Sequence, residues 1–386
     1  MNRWDLIVIG AGAVGSAALR AASEAGARVL GLEQFEPANT RGSSHGHSRI
    51  FRHAYFEHPD YVPLLRYSTA RLEALERESG TALLHRCGML AAGPRDCAIV
   101  RGTLDSAQRW GLAVEALEDD ALAARFPWFA FPRGTVASFE SNAGLLRPEA
   151  TVNAAVRAAV TRGAELRLDV RVRSVAEDAS GVTVETDGAG ERASAVIVAA
   201  GPWTAKLLPE LAPLLRVTRQ VQAWLAPQSG IDVRAMPCWI YDRGPQRRAI
   251  YGLAPDPLAA DEAPGARTPA RHPKVGLHGS SEIVDPDVGA AAVTRVDVER
   301  LLDACREVTP ALAGEVTATG TCLYTMSPDE NFLVGTRAGS RRTHFAAGLS
   351  GHGFKLAPAL GDGLVEMALR GRTDLPFGFL SPQRFT

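Results

Sequence analysis

The stretch Asp5-Leu6-Ile7-Val8-Ile9-Gly10-Ala11-Gly12-Ala13-Val14-Gly15, with an acid at Glu33, decides the fold. Asp5 to Ile9 reads as a buried strand, and an Ala-rich helical stretch runs from the glycines through Ala25, where Gly26 can cap it. Arg28 to Leu32 reads as a second buried strand ending at Glu33, which completes a βαβ unit. A Gly-x-Gly-x-x-Gly run alone is a weak signal. Between a strand and a helix, and followed at about 20 residues by an acid suited to a ribose hydroxyl, it points to a dinucleotide site. Gly10 permits the tight turn, Gly12 lets backbone approach a pyrophosphate, and Gly15 lets the helix pack close, while the helix N-terminus offers free N–H groups. The motif does not separate NAD from FAD.

The 386 residues exceed the ~250 to 300 at which chains usually split, so two domains are expected. Hydrophobic residues make up 46% and charged residues 22%, an ordinary globular balance. Lys and Arg number 42 against 43 Asp and Glu, so no global basic field recruits nucleic acid or an anionic membrane. No run approaches the ~20 apolar residues of a membrane span, and Leu6 to Ile9 is too short for a secretion signal. A cytoplasmic protein is expected. Cys87, Cys97, Cys238, Cys305 and Cys322 show neither paired nor metal-ligand spacing, which argues against a disulfide framework and a metal site.

Working outward, Tyr61 to Glu78 carries Leu64, Leu65, Leu72 and Leu75 at helical spacing and is closed by Gly80. Val152 to Thr161 reads as another helix, followed by strands at Leu166 to Val175, Val182 to Glu185 and Ala195 to Ala199. From about Leu215 the segments Val217 to Leu225, Cys238 to Tyr241, Ala249 to Leu253 and Val275 to His278 suit an antiparallel sheet with one face exposed. Ala254 to Pro273 reads as a long loop, Arg295 to Val308 as a helix, and Val316 to Thr325 and His344 to Ala347 as strands. A last helix, with Pro358 near its start, ends at Arg370 with Gly371 as its cap. The expected class is α/β with an α+β second domain. A discontinuous Rossmann-type domain takes residues 1–85, 146–214 and 315–386, and a predominantly antiparallel substrate domain takes 86–145 and 215–314.

Gly42 to His53 is dense in Gly, Ser, His and Arg, a poor recipe for a core and a good one for lining a cofactor. His47 and His53 read as incidental histidines of a solvated loop; Arg49 and Arg52 do not. Gly351-His352-Gly353-Phe354-Lys355 precedes the last helix, so its N–H groups and Lys355 can face an anionic centre such as the edge of a reduced flavin.

The stretches Gly42 to Tyr55, Ala199 to Leu208, Lys274 to His278, Cys322-Leu323-Tyr324-Thr325 and Gly348 to Phe354 occur in one order along nearly the whole chain. In them the sequence resembles the monomeric sarcosine oxidase and N-methyltryptophan oxidase family, within the wider glycine and D-amino-acid oxidase group. The resemblance implies FAD, attached through the Cys322 sulfur. It implies cofactor contacts from Gly10, Ala11, Gly12, Val14, Gly15, Glu33, Ser43, Ser44, Arg49, Val172, Ala200, Gly201, Trp203, Gly351, Gly353, Phe354 and Lys355, with His45 and Arg49 near the flavin ring. Arg52 and Lys355 are implied to hold a substrate carboxylate, Tyr251, Tyr324 and His352 to surround the substrate amine, and His278 to serve in the active site. Lys274 is implied to be the cation that assists oxygen reduction.

Three departures leave the substrate open: Ser44 stands where the family commonly has His, Leu277 replaces a bulkier neighbour of His278, and the 254–273 loop is long. The expected activity is oxidation of a small or N-methylated amino acid by a monomer that passes electrons to oxygen. A same-fold dehydrogenase serving another acceptor and a non-catalytic FAD-binding subunit are the alternatives; a simple NAD dehydrogenase would need neither Cys322 nor the second Gly-rich helix start.

Overall fold

The computed structural model describes residues 4–244, 247–259 and 270–385. Its first sheet forms around Trp4–Ile9, which pairs in parallel with Val29–Leu32 on one side and Glu191–Val198 on the other. Leu6, Ile7 and Val8 are fully buried, as a strand covered on both faces must be. The sheet continues to Glu165–Arg167 beyond Val29–Leu32, and on the far side to the antiparallel strands Gly181–Thr186 and Val172–Asp178. Thr343–Ala347 joins the other end of Glu191–Val198 and carries Leu333–Thr336 at the edge. Helices Ala13–Glu24, Pro148–Thr161 and Ala357–Arg370 cover one face. Gly361 makes their close approach possible: a Cβ there would lie 2.7 Å from the Ala18 backbone nitrogen.

The second sheet runs in the order Val316–Met326, Arg216–Leu225, Lys274–Leu277, Ile250–Leu253, Cys238–Tyr241, Met89–Gly93, Val136–Glu140, Glu115–Glu118. All of its joints are antiparallel except that between Cys238–Tyr241 and Met89–Gly93. Val316–Met326, grouped with the cofactor side in the sequence reading, is thus bonded into the other sheet. A small third sheet of Arg49–Phe51, Gly144–Leu146 and Leu84–His85 completes the strands.

Three expectations are corrected. Leu166 to Val175 is not one strand, because Asp169 adopts a left-handed conformation (φ +57°) and the chain turns there while the Val170 N–H donates to Glu33 O. The central strands of the second sheet have no exposed face: Cys238–Tyr241 is buried throughout and Arg216–Leu225 nearly so, while the edge strand Glu115–Glu118 is largely exposed. Helix Arg295–Val308 covers one face through Leu301, Ala304, Cys305 and Val308, and on the other Met89, Ala91, Cys238 and Ile240 pack with Ile99 and Val100 of helix Ala98–Trp110. His53 is not solvated, since its ring bonds Glu140 Oε1 and Thr69 Oγ1, both at 2.9 Å. Of the 254–273 loop, residues 260–269 lie outside the described residues.

Helix Arg295–Val308 is fastened by a Thr294–Asp297 capping box and seals the sheet chiefly with Leu301, which is 2% exposed. Leu301→Ala should cost about 2 to 5 kcal/mol, read as a lower urea midpoint with an unchanged slope; a midpoint within error of wild type would contradict this packing.

Candidate active site

Side chains alternate along a strand, so register alone determines which residues share a face. Arg216–Leu225 sets Gln220 opposite Cys322, Thr218 opposite Tyr324, Gln222 opposite Gly276 and Gly320, and Trp224 opposite Lys274. Tyr251 lies opposite Gly276, and Leu253 opposite Lys274. Cys322, Tyr324, Lys274 and Tyr251 therefore share one face. Gly276 and Gly351 make room for the aromatic rings: a Cβ at Gly276 would sit 2.6 Å from the Tyr251 hydroxyl, and one at Gly351 would sit 2.2 Å from the Tyr324 ring.

Two cavities meet over this face. One is lined by Gly10, Gly12, Val14, Glu33, Ser43, Ser44, Val172, Ala200, Gly201, Trp203 and Gly353. The other is lined by Arg52, Tyr251, Lys274, His278, Cys322, His352 and Lys355. Arg49, Tyr324, Gly351 and Phe354 line both. The residues implied to hold cofactor and those implied to hold substrate thus fall into adjoining spaces, with Cys322 and Lys355 on the substrate side. Three of the implied residues face neither. Ala11 is 1% exposed and its N–H donates to Glu33 Oε2 at 2.7 Å, so it fixes the acid rather than lining the cavity. Gly15 serves packing, since a Cβ there would lie 1.7 Å from the Gly10 oxygen. His45 is buried beneath the loop.

Lys274 is 2% exposed. Its Nζ donates to the carbonyls of Gly46 (2.8 Å) and Ser48 (2.6 Å), and the Trp224 ring lies 5.8 Å away. Burial holds its pKa well below the usual lysine range, aided by Arg49 and opposed by Glu149. His278 ends just beyond the strand Lys274–Leu277, two residues after Gly276 and on the same side, its pKa also lowered by burial.

Lys355 is held by a chain of donors. Its Nζ donates to the His352 carbonyl (2.8 Å) and to the Tyr55 hydroxyl oxygen (3.2 Å). His352 is pushed down to about 4 by burial, so it is neutral at neutral pH, and its Nε2 lies 2.9 Å from the Glu330 carbonyl. That nitrogen must carry the proton, which leaves Nδ1 to accept from the Tyr55 hydroxyl at 2.7 Å. Both ring nitrogens of His352 are engaged, so only its ring is available to the cavity. Burial, and then Arg52, push Lys355 down to about 7 against the opposing charge of Glu57. Arg52 is already compensated: its NH2 meets both Glu57 oxygens at 2.6 Å, and its guanidinium carbon lies 4.1 Å from the Tyr55 ring centre and 4.2 Å from that of Phe56. Burial would raise Glu57, but the Arg52 charge and its hydrogen bonds, with the nearby Lys355, prevail and hold it at about 2.

Sequence reading missed Tyr55, Glu57, Gln222 and Glu149. One signal was available. Only three of the 42 basic residues are lysine, at 206, 274 and 355, and two of these are buried at this site. A chain that otherwise uses arginine keeps a compact, titratable ammonium there.

A FAD dependent oxidoreductase family model matches residues 5–367, and the chain belongs to that family. It is 35% identical to the monomeric sarcosine oxidase of Streptomyces avermitilis over 99% of this chain and 97% of that one. It is 32% identical to the N-methyl-L-tryptophan oxidase of Salmonella typhimurium over 100% and 99% of the two chains. Among solved structures it is similar to NikD, described as an unusual amino acid oxidase essential for nikkomycin biosynthesis, with a TM-score of 0.84 and 26% identity over 99% and 98% of the two chains.

FAD fits what is present. Glu33 lines the first cavity where a ribose hydroxyl would lie, Gly10 and Gly12 put no side chain in front of it, and Gln222 Oε1, on the adjoining cavity, is buried without a partner among the described residues. No group of side chains among the described residues is arranged to hold a metal. Gly15→Ala should force the first helix off the Gly10 turn, so the purified variant should carry little or no flavin relative to protein; full flavin content would contradict the role given to that turn.

Proposed function

We propose that the protein is an FAD-dependent oxidase of a small or N-alkylated amino acid, acting on the C–N bond. The observation that carries this is the junction of the two cavities, where a basic, aromatic-walled pocket opens onto the dinucleotide space at Arg49, Tyr324, Gly351 and Phe354. Bound FAD would supply the acceptor for two electrons from the carbon beside the amine nitrogen, with dioxygen as their final acceptor and an imine and hydrogen peroxide as products.

The chain's own residues orient the substrate and keep water out. Lys355 offers its ammonium to the carboxylate, and Arg52 joins it once its fork is shared with the substrate instead of Glu57 alone. Tyr251 and Tyr324, whose hydroxyls bond each other, flank the amine with the ring of His278. Burial pushes the Tyr251 hydroxyl up to about 12, so it stays neutral and able to donate. Lys274 supplies a fixed positive charge for the oxygen step, which favours oxygen over another acceptor. Cys322 is 3% exposed; burial raises its thiol while Arg49 and Lys274 favour the thiolate, an environment suited to a flavin tether. We take the protein to act as a monomer in the cytoplasm; among the described residues no helix is long and apolar enough to cross a membrane.

Acid-precipitated wild type should retain its yellow colour while Cys322→Ser releases flavin to the supernatant; a colourless wild-type pellet would refute the tether. For the clamp, Lys355→Met should weaken amino-acid binding by about 1.5 to 3 kcal/mol and leave decarboxylated analogues unaffected. Because the free Lys355 ammonium titrates at about 7, wild-type affinity should hold at acid pH and decline above neutrality. Equal losses for both ligand classes, or affinity rising with pH, would remove Lys355 from carboxylate binding.

A further inference from the structure

The turn that receives Lys274 is itself built around a carboxylate. Glu149, in the first turn of helix Pro148–Thr161, accepts the backbone N–H groups of Gly46 (2.5 Å) and His47 (3.0 Å) through one oxygen. Both residues are left-handed, Gly46 at φ +94° and His47 at φ +65°. For a residue with a side chain that conformation is costly and persists only where its surroundings impose it. The result is that the Gly46 and Ser48 carbonyls point at Lys274 Nζ. Arg49 braces the same turn from the other side, donating to the carbonyls of Ser48 (2.8 Å) and Ser43 (2.7 Å).

We propose that Glu149 is a positioning residue for the oxygen step: it holds the 46–48 turn closed on the Lys274 ammonium and supplies the negative charge that keeps this ammonium protonated in a dry cavity. The proposal rests on the reading of Lys274 as the cation that serves oxygen. The charged and titratable groups facing Lys274 are Arg49, His45, Cys322, Cys238 and Glu149, contributed by the Gly42–Phe51 segment, two strands of the second sheet and the helix. His45 is pushed down to about 4 by burial and is neutral, Arg49 is a cation, and both cysteine thiols are raised by burial. Glu149 is therefore the carboxylate among them. Burial would raise it, but the His47 N–H, its own N–H and the Arg49 charge keep it ionised. Unpaired, a lysine this buried releases its proton readily, and a neutral amine offers oxygen no charge.

The chain has only three lysines, so isotope-labelled lysine Cε gives three resonances in the purified protein, with Lys274→Met and Lys206→Arg assigning them. In Glu149→Gln, which keeps the size and loses the charge, the Lys274 resonance should titrate about one pH unit or more lower than in wild type, while Lys355 stays in place. Glu149→Asp should fall between the two, and it carries the test should Glu149→Gln not fold. The pH profile of flavin re-oxidation should move down with the resonance, and anaerobic flavin reduction should keep its own profile. An unmoved Lys274 titration in both variants overturns the proposal. If instead the titration moves but Lys274→Met re-oxidises as fast as wild type, the link between Glu149 and Lys274 holds and the oxygen role of Lys274 is what fails.

Discussion

The register of Arg216–Leu225 between its two neighbours is the constraint on which the site depends. Nine consecutive pairings with Val316–Met326, from Arg216 to Trp224, and three with Lys274–Leu277 fix which side chains of three strands look the same way. A slip of one residue would turn Cys322, Tyr324 and Lys274 into the opposite core and present Leu323, Thr325 and Val275 to the cavity. The register is secured by what lies behind it. Ala223, Leu225 and Val275 are buried against helix Arg295–Val308, so the hydrophobic face and the chemical face specify each other.

Charge explains why this face is built as it is. Arg49, Arg52, Lys274 and Lys355 converge on the second cavity, with Glu57 on its wall and Glu149 behind the turn. Cations withdrawn from water are costly unless paired. The protein answers with carbonyls for Lys274, a carboxylate for Arg52 and a Tyr55–His352–Glu330 hydrogen-bond chain for Lys355. The positive charge left over suits an amino-acid carboxylate, and it suits the charge that reduction adds to a flavin. The same pocket therefore serves both halves of the proposed reaction.

Much of this was legible in the sequence because local chemistry carries it. The Gly10 to Gly15 turn, Glu33 and the helix start after Gly353 are each set by neighbours in the chain, and Pro310 marks where the helix Arg295–Val308 must stop. Residues that act across long separations left no local mark. Lys355 meets Tyr55 300 positions away, and Lys274 meets Gly46 228 positions away. Glu57 and Glu149 look in sequence like ordinary surface acids, and only the packed chain sets one against Arg52 and the other under the Gly46 turn. His53 misled for the same reason: a histidine in a Gly/Ser-rich loop reads as solvated until Glu140 arrives from a distant strand. The break at Asp169 was hidden by apolar neighbours on both sides, which continue a strand pattern through a residue whose backbone leaves it.

The most direct test of a single redox centre spanning both cavities is to mix the purified protein without oxygen with a panel of primary and N-methylated amino acids while following the flavin absorption. The account predicts bleaching by at least one amino acid, followed on admission of air by recovery of the oxidised spectrum with one hydrogen peroxide for each flavin reduced. A flavin that stays oxidised with the whole panel, or that once reduced recovers only with an added carrier and without peroxide, would contradict it.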